Sequence, residues 1–277
     1  MRTPRTMGRF SKQRRQSSWR KLALHAWSRP SDPTVYGVLE VDVGPARAYL
    51  ARLRAEHGVH VTLTHLVGKA VALAIRERPE VNAVVRRRHQ VYLRDTIDVF
   101  FQVAVDGGED LSGAKITRVD ERSVVQIAQA LDERVARLRA HRDPVVQRTQ
   151  AMLDRAPGPV RGVLMRAAEA LTYDLGLDLR RLGIPFDSFG SVMVTNVGVF
   201  GLPLGFAPLV PFARTPMLLT VGTVKDTPVA RGGEVVVRPI LPIGATFDHR
   251  LLDGFEAGRL AERFVAVMSD PESALGD

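Results

Sequence analysis

The chain has no cysteine in 277 residues. That excludes a disulfide framework, a thiolate zinc site and a cysteine nucleophile, and it suits a reducing, cytoplasmic setting. It also lacks any apolar run near the roughly 20 residues that a membrane-spanning helix needs, and its N-terminus has no apolar centre of a secretory signal. Aromatic residues make up only 6%, so an aromatic-rich nucleic-acid surface is not indicated. What is abundant is aliphatic: 45% of the chain is hydrophobic, enough for a sizeable core in one large domain.

The net charge of +9 is local. Arg2, Arg5, Arg9, Lys12, Arg14, Arg15, Arg20 and Lys21 precede the first acidic residue, Asp32, and without those eight the chain holds 31 basic against 30 acidic residues. Residues 1–18 read as a disordered basic arm, too poor in aliphatics to offset the entropy of ordering, and 19–277 as one domain. The arm suits an anionic membrane surface or RNA, or is a solvated tail; nucleic-acid binding has no module behind it.

Periodicity gives the elements. Trp19–Trp27 reads as a short helix ended by Pro30 and Pro33, and Tyr36–Val43 as a strand. Ala46–Glu56 reads as a helix closed by His57-Gly58, and Val59–Thr62 as a short strand. Leu63–Glu77, apolar on nearly all sides, reads as a buried helix ended by Pro79-Glu80-Val81-Asn82. Val84-Val85 and Gln90–Leu93 flank the turn Arg86-Arg87-Arg88-His89. Ile97–Val105 is expected to pair with Ile116–Val119, and Ser123–Arg142 to form an amphipathic helix. Residues 143–190 are the least regular. Within them Pro159–Leu175 has an apolar face (Val160, Val163, Leu164, Ala167, Ala168, Leu171 and Leu175) for packing on the domain, on a neighbouring subunit, or on a membrane surface flanked by Arg161 and Arg166. Strands then dominate: Ser191–Val194, Leu218–Val224, Glu234–Val237 after a Gly232-Gly233 turn, and Leu241–Thr246. A closing helix spans Phe255–Met268. The expected class is α/β, a mixed sheet with flanking helices and no regular strand–helix alternation.

The chemistry concentrates in Phe247-Asp248-His249-Arg250-Leu251-Leu252-Asp253-Gly254, at a strand-to-helix corner. An imidazole titrates near 6.5, so His249 can take a proton from a thiol or hydroxyl and return it. Asp253, four residues on, can hold the ring or fix the loop; a histidine packed at a helix start has the same spacing, so the residues alone leave both readings open.

This segment resembles the signature of the catalytic domain of 2-oxoacid dehydrogenase acyltransferases, whose fold and His-xxx-Asp kernel are shared by chloramphenicol acetyltransferases. Thr195-Asn196-Val197-Gly198-Val199-Phe200-Gly201 is similar to that family's Ser/Thr-Asn-x-Gly-x-x-Gly segment. Phe206-Ala207-Pro208, Gly233–Arg238, Lys69–Ala74, Pro79–Asn82, and Ser28 with Pro33 and Glu40–Val43 agree in order, over about 20–275. The resemblance implies a coenzyme A-dependent acyltransferase in which His249 deprotonates a thiol and Thr195 donates to the oxyanion. The two come from different subunits of a homotrimer, itself a unit of a larger assembly. It implies coenzyme A as a substrate, no metal, and Asp253 paired with a basic residue near the N-terminus, for which Arg20 is the candidate. The chain departs from the family in three places. The arm leaves no room for a lipoyl domain, so a lipoyl group is expected only in trans. Gly108–Lys115 replaces an apolar strand of the channel wall, and 143–188 replaces a short loop. A non-catalytic protein of the same fold, forming a trimer-based shell or scaffold, is the competing expectation, with the arm (1–21) and 159–175 offering attachment to the inner face of a membrane.

Overall fold

The computed structural model describes residues 6–7, 10–11, 32–86, 90–105, 110–139, 163, 166–177 and 186–276. It divides into two units, Met1–Pro33 and Thr34–Asp277. In the first, Thr6–Met7 pairs antiparallel with Phe10–Ser11. The rest of the expected arm, the expected helix Trp19–Trp27 and Arg20 lie outside the described residues.

The second unit is built on a seven-stranded mixed sheet. Its strands are β1 (Thr34–Asp42), β4 (Val99–Val105), β5 (Asp110–Ile116), β6 (Val192–Asn196), β7 (Met217–Val221), β8 (Lys225–Arg231) and β9 (Glu234–Asp248). A separate hairpin pairs β2 (Ala83–Arg86) with β3 (Gln90–Leu93). The sheet order is β8-β9-β7-β6-β4-β5, and β1 also pairs with β9. β6 runs parallel to both β4 and β7; the other pairings are antiparallel.

Two strand expectations shift. Glu234–Val237 and Leu241–Thr246 belong to one 15-residue strand, which trades its partner β8 for β1 at Ile240 and so carries Pro239 and Pro242 without a break. The partner of β4 is Asp110–Ile116, ahead of the expected Ile116–Val119. The strand that the family resemblance placed in doubt is therefore kept, in polar residues. Val59–Thr62 forms no strand; Thr62 instead caps a helix.

One face of the sheet is covered by helices α1 (Gly44–His57), α2 (Leu63–Glu77), α3 (Val124–Arg139) and α4 (Gly254–Ser269), with α5 (Pro271–Leu275) following. Along β4, β6, β7 and β9 alternate residues Phe101, Val194, Leu219 and Ile243 turn to this face and pack with Leu66, Ile127 and Phe264. Full burial of each such large side chain is worth about 1.5–3 kcal/mol. α2 is buried along Leu66–Ile75, as its all-round apolar pattern predicts. Its Gly68 is required by contact: a β-carbon there would lie 2.3 Å from the Phe101 ring. The opposite face is overlaid by the segment after β6: Thr220 Oγ1 donates to the Gly205 carbonyl, and the Phe206 ring meets Tyr36 at 5.3 Å. The helical part of the irregular stretch, at 163 and 166–174, ends in a wide turn over Ala170–Asp174.

Candidate active site

The His249 and Thr195 segments stand at opposite ends of the sheet. Thr195 is level with Thr220 across β6 and β7, and Thr220 with Gly244 across β7 and β9. His249 follows Asp248, five residues beyond Gly244, which at about 3.4 Å per residue places it roughly 17 Å along the strands from Thr195. One chain therefore does not bring His249 and Thr195 together.

At the Thr195 end, the side chain points to the face away from the helices, since its neighbours Val192 and Val194 are in the helix-side core. The Thr195 hydroxyl makes no hydrogen bond to another described residue. Asn196 is anchored beside it: its Nδ2 donates to Thr64 Oγ1 at 2.9 Å, and its Oδ1 accepts from the Val199 N–H at 3.3 Å. The turn that follows lies flat on β7 because of glycine; a β-carbon on Gly198 would meet the Gly222 carbonyl oxygen at 2.6 Å. Thr223 Oγ1 donates to the carbonyl of Leu202 at 3.0 Å, closing the loop. Next to Asn196 opens a cleft of about 510 Å³, walled by Arg47, Leu50, Ala51 and Arg54 of α1 and by Thr62, Leu63 and Thr64. Its wall is fixed by a capping box in which the Thr62 side chain and His65 at the third helical position serve each other's backbone ends. His65 Nδ1 accepts from the Thr62 N–H at 3.1 Å, and burial pulls the imidazole down to about 4.

At the other end, His249 is exposed on the turn between β9 and α4. Asp248 builds that turn. Its carboxylate accepts from the Arg250 N–H at 3.0 Å and from the Arg250 guanidinium at 2.6 Å, and its carbonyl accepts from the N–H groups of Leu251 and Leu252. Asp253 is the N-cap of α4, accepting from the N–H of Phe255 at 2.8 Å and of Glu256 at 3.1 Å. Of its two expected roles, fixing the loop is the one its described contacts fulfil; no hydrogen bond joins it to His249, and the expected partner Arg20 lies outside the described residues. The first turn of α4 is braced from α2's end by Arg78, which donates to Glu256 at 2.6 Å and pairs with Glu80 at 2.7 Å. Sequence reasoning missed Arg78, Asn196 and the cleft. Asn196 was within the motif; the Arg78–Glu256 pair spans 178 positions and leaves no local signal. Among the described residues no group of three or more histidine, aspartate or glutamate side chains could hold a metal ion.

The same architecture recurs in solved acyltransferase cores. The cubic core of the pyruvate dehydrogenase multienzyme complex aligns at a TM-score of 0.66 with 21% identity, over 88% of this chain and 85% of that one. A structure of Azotobacter vinelandii dihydrolipoamide acetyltransferase, from work on the role of a serine, a histidine and an asparagine in its catalytic mechanism, aligns at 0.65 with 21% identity and the same coverage. These define the fold class, a mixed sheet with flanking helices of the coenzyme A-dependent acyltransferase type.

The sequence is more specific. A family model for 2-oxoacid dehydrogenases acyltransferase (catalytic domain) matches residues 13–148 and 188–276, and the chain belongs to that family. Among curated relatives, the mitochondrial dihydrolipoyllysine-residue succinyltransferase component of the 2-oxoglutarate dehydrogenase complex of Mus musculus is 27% identical over 245 residues, 86% of this chain and 44% of the relative. The dihydrolipoyllysine-residue acetyltransferase component of the acetoin cleaving system of Bacillus subtilis is 24% identical over 262 residues, 95% of this chain and 53% of the relative. The chain thus spans about half the length of these relatives.

Proposed function

We propose that the chain is an acyltransferase that moves an acyl group between coenzyme A and a thiol such as dihydrolipoamide, with each site completed by two copies. The observation that carries this reading is the placement of His249 and Thr195 at opposite ends of one sheet. A neighbouring copy must supply the missing half.

In the proposed reaction His249 takes the proton of the attacking thiol, and the thiolate adds to the thioester carbonyl. Thr195 donates a hydrogen bond to the oxyanion of the tetrahedral adduct. As the adduct collapses, the carbon–sulfur bond to the original thiol breaks and His249 returns its proton to that departing sulfur. The unengaged hydroxyl of Thr195, on a strand held by both neighbours and by Asn196, suits a preorganised donor. The cleft beside Asn196, with Arg47 and Arg54 in its wall, suits the phosphates of coenzyme A. A contact between copies is supported by the apolar side chains on the helix-free face: Tyr36, Val38, Val199, Phe200 and Leu202 are each about half exposed or more. A homotrimer, and a larger assembly of trimers served by a lipoyl-bearing protein in trans, extends the same reading.

The test is complementation. His249→Ala and Thr195→Ala, each purified alone, are expected to be inactive in acyl transfer between acetyl-coenzyme A and dihydrolipoamide. Co-assembled in equal amounts they should recover about a quarter of wild-type activity, the fraction of interfaces that pair an intact His249 with an intact Thr195. No recovery in mixed oligomers would refute the shared site. Full activity of His249→Ala would refute the chemistry, and a wild type that assembles but transfers no acyl group would leave the scaffold reading.

A further inference from the structure

Residues 149–187 are not matched by the family model, and the helical piece within them is mounted with its polarity reversed. An ordinary surface helix turns its leucines inward and its acids to water. Here the acids go in. Glu169 and Asp174 accept from the Arg214 guanidinium at 2.8 and 2.7 Å. The Tyr173 hydroxyl donates to Asp187 at 3.0 Å and to the Ala213 carbonyl at 2.9 Å, and Asp187 accepts from Arg94 at 2.8 and 3.1 Å. Burial pushes the Tyr173 phenol up, so its hydroxyl keeps its proton and stays a donor.

The outward side is apolar. Val163, Ala167, Leu171 and Leu175 recur every fourth residue and are exposed, at 64% for Val163, 37% for Leu171 and 60% for Leu175. Of the expected apolar face, Val163, Ala167, Leu171 and Leu175 face solvent and Ala168 is half-buried, while Val160 and Leu164 lie outside the described residues; what packs on the domain is Thr172 and Tyr173. With the acids drawn inward, the charge left beside the stripe is basic. Arg166 is exposed on the helix. Arg86 donates to the Tyr173 carbonyl, and its guanidinium lies 4.5 Å over the Tyr92 ring.

We propose that this face is a docking surface for an anionic lipid bilayer. The leucines enter the boundary between headgroups and acyl chains, and the arginines lie against lipid phosphates. A stripe on a single convex helix, rimmed by basic residues, matches an interfacial helix. A two-fold contact of this face with itself would bring two basic rims together, so an anionic surface complements it better. No helix among the described residues is long and apolar enough to cross a membrane, so attachment here is peripheral.

The test is sedimentation of the full chain with vesicles of phosphatidylcholine alone, or of equal parts phosphatidylcholine and phosphatidylglycerol. Wild type is expected to bind only the anionic vesicles and to release as salt rises. The Leu171→Ser, Leu175→Ser double variant, shown by thermal melting to be folded, should bind at least about tenfold more weakly, since the two leucines supply buried apolar area. Equal binding by the variant would overturn the proposal and assign any binding to the basic arm, which both proteins carry. Failure of wild type to bind would also overturn it. So would a concentration-dependent oligomer that the two serines abolish without loss of vesicle binding, which would assign the face to a second copy.

Discussion

His65 gives the wild-type protein a specific weakness in mild acid. It sits at the third position of α2, is 6% exposed, and caps the helix through the lone pair of Nδ1 facing the Thr62 N–H. Protonation removes that acceptor and leaves a charge beside the Phe101 ring, 6.3 Å away between centroids. An unfolded imidazole titrates near 6.5 and the folded one at about 4, through burial. Because the folded value is the lower one, the unfolded chain binds the proton first. Stability is complete above pH 6.5 and is lost as pH falls toward 4. At about 1.36 kcal/mol per tenfold difference in proton affinity, the loss reaches roughly 3 kcal/mol. His65→Gln keeps a capping side chain and does not titrate. Urea unfolding of both proteins at one fixed concentration, from pH 7 to pH 4, should show wild type losing about 3 kcal/mol more than the variant. The carboxylates common to both cancel. Parallel stability curves would refute the buried, neutral acceptor.

Further substitutions at two positions follow from the contacts. Asp253→Ala removes the cap of α4 and should cost about 1 kcal/mol by thermal melting, while Asp253→Ser, which still caps, should keep both stability and acyl transfer; loss of activity in the serine variant would give the carboxylate a role beyond the turn. Asp187→Ala strips the partner from Arg94, whose side chain is 8% exposed, and should cost about 3–5 kcal/mol by chemical unfolding. Burial raises the Asp187 carboxyl, but hydrogen bonds and charge from Arg94 outweigh it and hold the group below its usual range. That contribution is full above the unfolded value and is lost only as pH falls through the lower folded one, well below the His65 transition.

What could be read in the sequence was what local rules decide. Leu63–Glu77 was legible to the residue because its apolar pattern has no gap and Pro79 stops it. The Arg86–Gln90 hairpin and the corner at His249 were equally local. β5 was not, because its Ser112, Gly113 and Lys115 carry no strand signature. Gly113 is there because a β-carbon would lie 2.2 Å from the Phe100 ring, a requirement set by another strand. The prolines of β9 read as an interruption, although a change of pairing partner absorbs them. The candidate site divides the same way. His249 and Thr195 were recognisable from their neighbours, whereas their separation exists only in the register of three strands. The Arg94–Asp187–Tyr173–Arg214 cluster joins positions scattered over the chain and left no trace in any window.

The separation of Thr195 on β6 from His249 after β9 is also a statement about genetics. On the proposed arrangement each copy lends its His249 end to one reaction centre and its Thr195 end to another. A copy damaged at both ends therefore silences two of the three centres in a trimer, while damage at one end silences a single centre. In a cell that makes sound and defective chains together, the harm done by a defective chain would depend on whether one of these ends is lost or both.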